Sequence, residues 1–337
     1  MIKSISIVIP VYNSEQSLPV LFTRLAGMLP TLAEQYEVVL INDGSRDRSA
    51  ETLDALAAKY DWARPLHLMR NYGQHNAILC GIRHASKAVV VTMDDDLQNP
   101  PEEIPRLLAK LAEGYDVVYG YPRQENHGVL RNLASRITKI SMQQAMGVKV
   151  ASRISSFRAF RTELRAAFAD YRGSFVSIDV LLGWSTTRFA AIPVENPPRA
   201  IGLSNYTMAK LIAHAMNMMT GFTTLPLQLA SILGFAFALF GLGILIFVVG
   251  RYLIEGGSVP GFPFLACALA IFSGVQLFAL GIIGEYLARM HFRLQDKPSY
   301  TVRCEPGARY PLPDQTLESA SERAVDLSAT APVESKM

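Results

Sequence analysis

The sequence predicts an α/β protein whose N-terminal part holds a mostly parallel sheet and whose C-terminal part lies in a membrane. In residues 1 to about 200, short β-branched runs alternate with segments of helical period, as in a parallel sheet flanked by helices. Further on, residues 211–250 and 256–284 contain no Asp, Glu, Lys or Arg. Each uncharged stretch is longer than the roughly 20 residues that span a bilayer.

The composition supports this division and excludes several classes of protein. The 337 residues are 50% hydrophobic and only 18% charged, against roughly 25% charged in ordinary soluble domains. Disordered, collagen-like and coiled-coil chains are excluded. A formal net charge of +3 over this length also argues against a nucleic-acid partner. The three cysteines are far apart in the sequence, which fits a reducing, cytosolic setting.

The predicted elements of the N-terminal part alternate between strand and helix. The strand candidates are Ile5–Ile9, Glu37–Ile41, Pro65–Met69, Ala88–Met93 and Asp116–Gly120. The helix candidates between them are Ser14–Met28, with Asn13 and Gln16 as a capping pair, then Arg48–Lys59 and Gly73–Ala85. The first apolar run is stopped by Pro10 and is too short for a signal-peptide core, so we expect this part to stay in the cytoplasm.

The C-terminal part is predicted to be a helical hairpin that crosses the membrane twice. We expect a cytoplasmic α/β domain over 1–205, an amphipathic interface helix over 206–224 and a membrane hairpin over 225–288. The segment over 206–224 could equally be a core-facing helix. The two spans of the hairpin are placed at about 225–252 and 262–287, and a cytoplasmic tail over 289–337 is expected to be disordered after about residue 310. Positive charges flank the outer ends of the hairpin, so both termini should face the cytoplasm. The alternative is a pair of buried helices in a soluble protein.

Polar residues at predicted strand ends are the candidates for chemistry, because ligands of open α/β sheets bind beyond the carboxyl ends of the strands. Asp94, Asp95 and Asp96 follow one strand, and Asp43 follows another. In an extended segment Asp94 and Asp96 would face the same way, and with the carbonyl of Gln98 they would suit Mg²⁺ or Mn²⁺. A solvated acidic turn is the alternative, which the placement opposite Asp43 disfavours.

A set of motifs resembles family 2 glycosyltransferases of the GT-A type, in the group that transfers sugars to polyprenyl phosphates. The matching segments are Val8–Asn13, Asn42–Ser45, Arg70–His75, Asp94–Glu102 and Gly114–Val118. With the hairpin, the resemblance covers about residues 4–300. Within the family, the chain looks most like the undecaprenyl-phosphate 4-deoxy-4-formamido-L-arabinose transferases. Dolichol-phosphate mannose synthases and prophage glucosyl transferases are similar but more distant.

The resemblance implies roles for individual residues. The nucleotide-binding set would be Pro10, Tyr12, Asn13, Asp43, Arg70, Gly73 and Asp95. The metal ligands would be Asp94, Asp96 and Gln98, and the arginines near the phosphates would be Arg123, Arg131 and Arg199, with Arg158 as a further match. Asp94, Asp96 and the first three of these arginines form the expected catalytic set. Guanidinium groups suit this task because they bind phosphates through two parallel hydrogen bonds.

Two positions depart from the family pattern. Ser155-Ser156 stands where many relatives carry an acid ahead of Phe-Arg, and Asn205 stands where they carry a lysine. The missing lysine affects contacts to the lipid phosphate. The missing acid matters less, because a phosphate monoester is already mostly a dianion at pH 7 and needs no strong general base.

The resemblance implies an inverting glycosyltransferase that moves a sugar from a nucleotide sugar, with UDP expected, to polyprenyl phosphate in a bacterial cytoplasmic membrane. The implied partners are both substrates, the lipid bilayer and further copies of the chain in a tetramer. Two alternatives stay open: an inactive nucleotide-sugar-binding subunit, and a processive polysaccharide synthase. The latter carries Gln-x-x-Arg-Trp, whereas Trp184 here follows Leu182-Gly183.

Overall fold

A mixed sheet of seven strands organises the N-terminal part in a computed structural model that describes residues 3–123, 153–173, 176–197, 224–255, 261–295 and 297–303. The chain divides into two compact units, Met1–Thr301 and Val302–Met337, and the helices and strands described below lie in the first. The predicted α/β class is confirmed.

The strands follow the order β3-β2-β1-β4-β6-β5-β7 across the sheet. They are β1 (Ser4–Val11), β2 (Gln35–Asn42), β3 (Ala63–His67), β4 (Val89–Thr92), β5 (Val117–Pro122), β6 (Arg158–Arg161) and β7 (Phe189–Val194). The helices are α1 (Leu18–Leu32), α2 (Ser49–Lys59), α3 (Gln74–His84), α4 (Ile104–Ala112), α5 (Ile178–Ser185), α6 (Leu225–Glu255) and α7 (Phe262–Leu294). Among the described strands, β6 alone runs antiparallel to its neighbours, β4 and β5, and the other pairs are parallel.

The central strands are buried on both faces, which explains their nearly continuous apolar sequence. Ile7, Val8 and Ile9 of β1 are fully buried, as are Val38 to Ile41 of β2. A parallel sheet covered by helices on both sides requires this composition. Pro10 fits in β1 because the ladder with β4 ends at Val8, so its missing N–H leaves no partner unpaired on that side.

The first helix begins later than the predicted capping pair. It starts at Leu18, after a turn, and Asn13 has a positive φ of 55°. The Asn13 side chain accepts a hydrogen bond from the backbone N–H of Arg46, 2.8 Å away. Asn13 therefore holds the loop after β2 instead of capping α1.

Strands β6 and β7 are not among the strands predicted from the sequence. Strand β6 has only four residues, Arg-Ala-Phe-Arg, and its pattern becomes a strand only through the ladders that β4 and β5 provide. Strand β7 extends the sheet beyond β5 in parallel. These two strands bring residues after 153 next to the acidic run that follows β4.

Both predicted membrane helices are present as long helices. Helices α6 and α7 are long and apolar enough to cross a membrane, judged by length and composition, and their apolar windows are not buried in the protein. Both extend a few residues beyond the predicted spans, to Glu255 and Leu294. The interface helix expected over 206–224, apart from Thr224, the connecting turn over 256–260 and the tail after 303 lie outside the described residues.

Candidate functional site

The carboxyl ends of β2, β1 and β4 lie side by side, as the sequence predicts. The N–H of Asp43 donates to the carbonyl oxygen of Val11 at 2.9 Å, and the N–H of Met93 donates to that of Val8 at 3.2 Å. These bonds continue the parallel ladders just past the strand ends. The polar residues that follow each strand therefore meet at one edge of the sheet.

Asp43 holds the loop that leads into α3. Its two carboxylate oxygens accept the backbone N–H groups of Tyr72 at 2.7 Å and Gly73 at 2.8 Å. Burial raises the pKa of Asp43, while these two hydrogen bonds and the nearby charge of Arg70 oppose the rise. Gly44, with a φ of 65°, lets this loop approach closely, because a Cβ there would lie 2.6 Å from the backbone of Arg70 and Asn71. Asp43 therefore contacts Gly73 directly and shapes the predicted nucleotide site.

The loop after β1 leaves one aromatic ring open to solvent. Tyr12 is 39% exposed, whereas Pro10 is buried within β1. The N–H of Asn13 donates to the Ser45 hydroxyl at 3.0 Å, so the turns after β1 and β2 are joined. Arg70 lies over the ring of Tyr72, with 4.4 Å between the guanidinium carbon and the ring centroid. The edge thus offers an exposed ring and an arginine beside a rigid loop.

The three consecutive aspartates do not form the extended segment from which the sequence predicts that Asp94 and Asp96 face the same way. Strand β4 ends at Thr92, and Leu97 has a φ of 64° and a buried side chain. The carboxylate of Asp96 accepts the N–H of Gln98 at 3.0 Å, which closes a short turn. The burial of Leu97 and this turn bend the run away from strand geometry.

Separate hydrogen bonds relieve the repulsion among these carboxylates. Gln74 donates its side-chain amide to one oxygen of Asp94, and Ser156 donates its hydroxyl to the other, each at 2.6 Å. Asp95 accepts the N–H of Tyr12 at 3.4 Å. Burial raises the pKa of Asp95 to about 7, with the hydrogen bond from Ser14 opposing this and the charges of its two acidic neighbours adding to it. Asp95 therefore ties the β4 end to the β1 end.

Two adjoining cavities open beside Asp94. The smaller, of about 120 Å³, is lined by Asp94, Gln98, Asn99, Gly120, Pro122, Ser155, Ser156, Val194 and Asn196. The larger, an open groove of about 640 Å³, is lined by Arg24, Pro100, Glu102, Glu103, Pro122, Arg123, Val194, Glu195, Asn196 and Pro197. Pro122, Val194 and Asn196 line both. Asp94 and Gln98 therefore share one pocket, Arg123 lies in the next, and Asp96 is not among the lining residues that the structure describes.

The four arginines of the phosphate set fall into different environments. Arg123 lines the groove. Arg158 is only 1% exposed and pairs with Asp179 in the core, so its charge faces a protein carboxylate instead of the groove. The position of Arg158 on β6, opposite Thr92 of β4, explains this burial. Arg131 and Arg199 lie outside the described residues.

Several residues at the site carried no predicted role. Gln74 belongs to the Arg70–His75 motif, and Ser156 stood out only as a departure from the family pattern; both now bond Asp94. In the wall of the groove, Arg24 donates to both carboxylate oxygens of Glu102. No sequence signal joins Arg24 in α1 to Glu102, because the fold alone makes them neighbours.

The pocket at Asp94 fits a hard divalent cation that is completed by substrate oxygens. Its lining offers one carboxylate together with amide and hydroxyl oxygens from Gln98, Asn99, Ser156 and Asn196. Within the described ranges, the structure contains no group of three or more His, Cys, Asp or Glu residues able to hold a metal. Mg²⁺ needs no such protein cage, since it is bound through one or two carboxylates plus substrate phosphates.

Comparisons with known proteins agree with the family resemblance of the sequence motifs. The profile of glycosyl transferase family 2 matches residues 6–167. An undecaprenyl-phosphate 4-deoxy-4-formamido-L-arabinose transferase of Shewanella sediminis is 38% identical over 305 residues, which is 90% of this chain and 92% of that one. A Pseudomonas paraeruginosa protein of the same name is 38% identical over 330 residues, 96% of this chain and 95% of that one.

Among solved structures, Mycobacterium tuberculosis glucosyl-3-phosphoglycerate synthase, crystallised with Mn²⁺, UDP and phosphoglyceric acid, matches 65% of this chain and 76% of its own, with a TM-score of 0.49 and 22% identity. The full-length similarity to the two transferases exceeds what a shared fold alone requires. The chain belongs to glycosyl transferase family 2, in the group that contains the undecaprenyl-phosphate sugar transferases.

Proposed function

We propose that this glycosyltransferase moves a sugar from a nucleotide sugar to the phosphate of a polyprenyl phosphate. The observation that carries the proposal is the pair of adjoining cavities at the carboxyl edge: the pocket of Asp94 and Gln98 shares lining residues with the groove that contains Arg123. Full-length similarity to transferases named for an undecaprenyl-phosphate substrate supports the acceptor. UDP-sugars are the first donors to test.

The order of the strands suggests an order for the parts of the donor. The nucleoside would lie over the exposed ring of Tyr12, beside Arg70, at the ends of β1 and β2. The diphosphate would then reach Asp94 at the end of β4, and the sugar would extend into the groove. Arg123 would meet the acceptor phosphate in that groove. An arginine suits this place because its planar group binds phosphate through two hydrogen bonds.

The pocket residues would also hold a divalent cation. Asp94 and Gln98 supply oxygen ligands there, and the predicted role of Asp96 stays a prediction. When bound, Mg²⁺ or Mn²⁺ neutralises charge on the departing nucleoside diphosphate. Gln74 and Ser156 keep the Asp94 carboxylate in a fixed orientation.

The proposed chemistry is a single displacement with inversion. An oxygen of the acceptor phosphate forms a bond to the anomeric carbon, while the bond from that carbon to the donor diphosphate breaks and its electron pair leaves with the nucleoside diphosphate. The acceptor needs no strong base, because a phosphate monoester is mostly a dianion at pH 7. Ser155 and Ser156 in place of an acid are compatible with this chemistry.

We also propose that α6 and α7 cross a bacterial cytoplasmic membrane with both chain ends on the cytoplasmic side. Positive charges cluster near the end of α7, at Arg289, Arg293 and Lys297. Such charges are enriched on the cytoplasmic side of membrane helices, so we place this end of α7 in the cytoplasm. Arg293 bonds the side chain of Tyr171 in the N-terminal part. The N–H of Met69 donates to the carbonyl of Thr301 at 2.9 Å, so the chain after α7 returns to the sheet domain. These contacts would hold the groove near the lipid phosphate.

The test is a transfer assay with detergent-purified protein, undecaprenyl phosphate and a panel of UDP- and GDP-sugars, with Mn²⁺ or with EDTA. Mass spectrometry follows the lipid product. We expect a sugar-phosphate lipid that forms with Mn²⁺ and not with EDTA. Asp94→Asn should lower its rate at least about 100-fold, the order of magnitude for losing a group that stabilises departing charge.

A matched control separates this effect from damage to the fold. Asp116→Asn also alters an aspartate that bonds neighbouring side chains, Thr186 and Arg188 among them, but just before β5 at the opposite edge of the sheet. It should keep the wild-type rate. Nucleotide binding without transfer of any donor sugar would contradict the proposal and favour an inactive nucleotide-sugar-binding subunit.

A further inference from the structure

A buried ion pair lies in the core behind the acidic pocket. Arg158 of β6 is 1% exposed and Asp179 of α5 is 3% exposed, and a guanidinium N–H of Arg158 bonds the Asp179 carboxylate. The hydroxyl of Tyr119 donates to the same carboxylate at 2.9 Å. Burying two charges is costly, so a buried pair is weak evidence of stability, and in some proteins such a pair fixes one arrangement of the core.

A series of hydrogen bonds leads from this pair to Asp94, with Ser156 as a covalent link between its backbone carbonyl and its side-chain hydroxyl. Arg158 Nε donates to Thr92 Oγ1 at 3.0 Å, and Thr92 Oγ1 donates to the carbonyl oxygen of Ser156 at 2.6 Å. The Ser156 hydroxyl then donates to Asp94 Oδ2 at 2.6 Å. The directions are fixed, because arginine only donates and the single proton of Thr92 is directed to the carbonyl. Each hydrogen bond in the series therefore has one possible direction from donor to acceptor.

The end of the chain determines how the Asp94 carboxylate faces the pocket. Ser156 holds one of its oxygens and Gln74 holds the other, and an ionised carboxylate has about four lone-pair sites. These two hydrogen bonds hold the carboxylate from both sides and so fix its orientation toward the pocket. Thr92 is fully buried as the last residue of β4, so this support is anchored within the sheet.

We propose that Arg158, Thr92 and Ser156 are positioning residues that act through their hydrogen bonds to fix the Asp94 carboxylate for the divalent cation and the donor diphosphate. The inference rests on the proposed function, which places that cation at Asp94. It gives Arg158 a task different from phosphate binding, and it gives Ser156 a task at the position where the family pattern has an acid. Partners of this kind orient the ligands that touch a metal.

The experiment measures Mn²⁺ affinity of UDP-loaded protein by electron paramagnetic resonance of free Mn²⁺. The variants are Ser156→Ala, Thr92→Val and the two combined, since replacing Arg158 would leave Asp179 buried without its partner and threaten folding. We expect each single variant to weaken Mn²⁺ binding by about 10-fold, as is typical for the loss of such a partner. The double variant should bind Mn²⁺ no less tightly than the weaker-binding single variant, because both changes interrupt the same series of hydrogen bonds. Thr92→Ser, which keeps the hydroxyl, should restore wild-type affinity.

Thr162→Val is the matched control. Thr162 is also a buried threonine whose hydroxyl donates to a backbone carbonyl, that of Lys87 at 2.5 Å, next to the same pair of strands but at their other end. It should lower the thermal midpoint as Thr92→Val does and leave Mn²⁺ affinity unchanged. The dependence of the transfer rate on Mn²⁺ concentration gives a second readout. Ser156→Ala and Thr92→Val should raise the Mn²⁺ concentration that gives the half-maximal rate, and Thr162→Val should not.

Two contrary results have different meanings. If wild-type protein with UDP binds no Mn²⁺, the cation that the proposed function places at Asp94 is refuted, and the positioning role fails with it. If the wild type binds Mn²⁺ and Ser156→Ala and Thr92→Val behave like Thr162→Val, the proposed function stands and the positioning chain is refuted.

Discussion

The two halves of the carboxyl edge are built from different kinds of bonds. At the ends of β1 and β2, acidic side chains bond backbone N–H groups: Asp43 holds Tyr72 and Gly73, and Asp47 holds Glu15. Along the groove, acidic side chains bond arginines instead, as in the Arg24–Glu102 and Arg106–Glu103 pairs. We call these the loop half and the groove half.

The difference separates a preformed region from an adjustable one. Bonds to backbone N–H groups fix the path of the chain itself, so the loop half is shaped before a ligand arrives. The Arg24–Glu102 pair is partly exposed, and exposed ion pairs contribute little to stability. We therefore expect the loop half to hold the part of the donor that many transferases share, and the groove half to set which sugar and acceptor are taken.

The largest predicted effect comes from closing the space in the loop half. Gly44→Ala would place a Cβ 2.6 Å from the backbone of Arg70 and Asn71, at a φ of 65°. The overlap and the backbone strain together should cost about 3 kcal/mol of unfolding free energy. Denaturant unfolding and UDP titration measure both consequences, and UDP affinity should fall along with stability.

Gly73→Ala is the control for this change. Gly73 also has a positive φ, 91°, but a Cβ there meets nothing within 4 Å. With a ψ of 154° this backbone conformation is essentially restricted to glycine, so the variant should cost about 2 kcal/mol from strain alone. Equal losses in the two variants would show that the close approach at Gly44 has no role.

The next effect tests the bonds of Asp43. Asp43→Asn keeps the shape but replaces one acceptor oxygen by an NH₂ group, which then faces the N–H of Tyr72 or Gly73. A buried donor left without its acceptor should cost about 2 kcal/mol. We expect UDP affinity to fall as well, since the loop that carries Arg70 loosens. Isothermal titration with UDP measures this, and an unchanged affinity would mean that the loop half is not preformed by this carboxylate.

The amino edge of the sheet offers the same kind of bonding without a proposed ligand. Glu37, at the start of β2, accepts hydrogen bonds from Ser6, Ser86 and Arg64. Burial opposes its ionisation, but these bonds outweigh burial and lower the pKa of Glu37. Glu37→Gln should cost about 1 to 2 kcal/mol at pH 7, because part of this bonding is lost. UDP affinity should stay at the wild-type value.

The lowered pKa of Glu37 determines how the stability difference between wild type and Glu37→Gln changes with pH. A carboxyl group whose pKa is lower in the folded protein stabilises the fold above its ordinary value of 4.5, and the contribution disappears as pH falls through the folded value. The stability difference between wild type and Glu37→Gln should therefore be full at pH 7 and shrink below pH 4.5. Thermal melting from pH 7 to pH 3 records it. A difference that grows on acidification would reverse the assignment.

The sequence predicts the loop half better than the groove half, for a physical reason. Parallel strands are recognisable from buried apolar runs, and the residues that follow them lie at one edge of the sheet, so the sequence predicts that Asp43 and Asp94 lie at the same edge. The groove depends on β6 and β7, whose strand character comes from pairing with distant segments. The burial of Arg158 depends on the same pairing. No local pattern reveals that a Phe-Arg segment lies opposite Thr92.

The smallest predicted effect belongs to the ion pair in the groove wall. Arg24 and Glu102 are both partly exposed, with side-chain exposures of 32% and 57%, so water screens their attraction. Arg24→Met, which keeps much of the apolar stem, should change unfolding free energy by less than about 1 kcal/mol and leave UDP affinity unchanged. If the groove half sets specificity, the same variant shifts the ranking of donor sugars in the transfer assay, because Glu102 is released to face the cavity. A variant with wild-type ranking of every donor would place the specificity elsewhere along the edge, and the division into two halves would then describe stability alone.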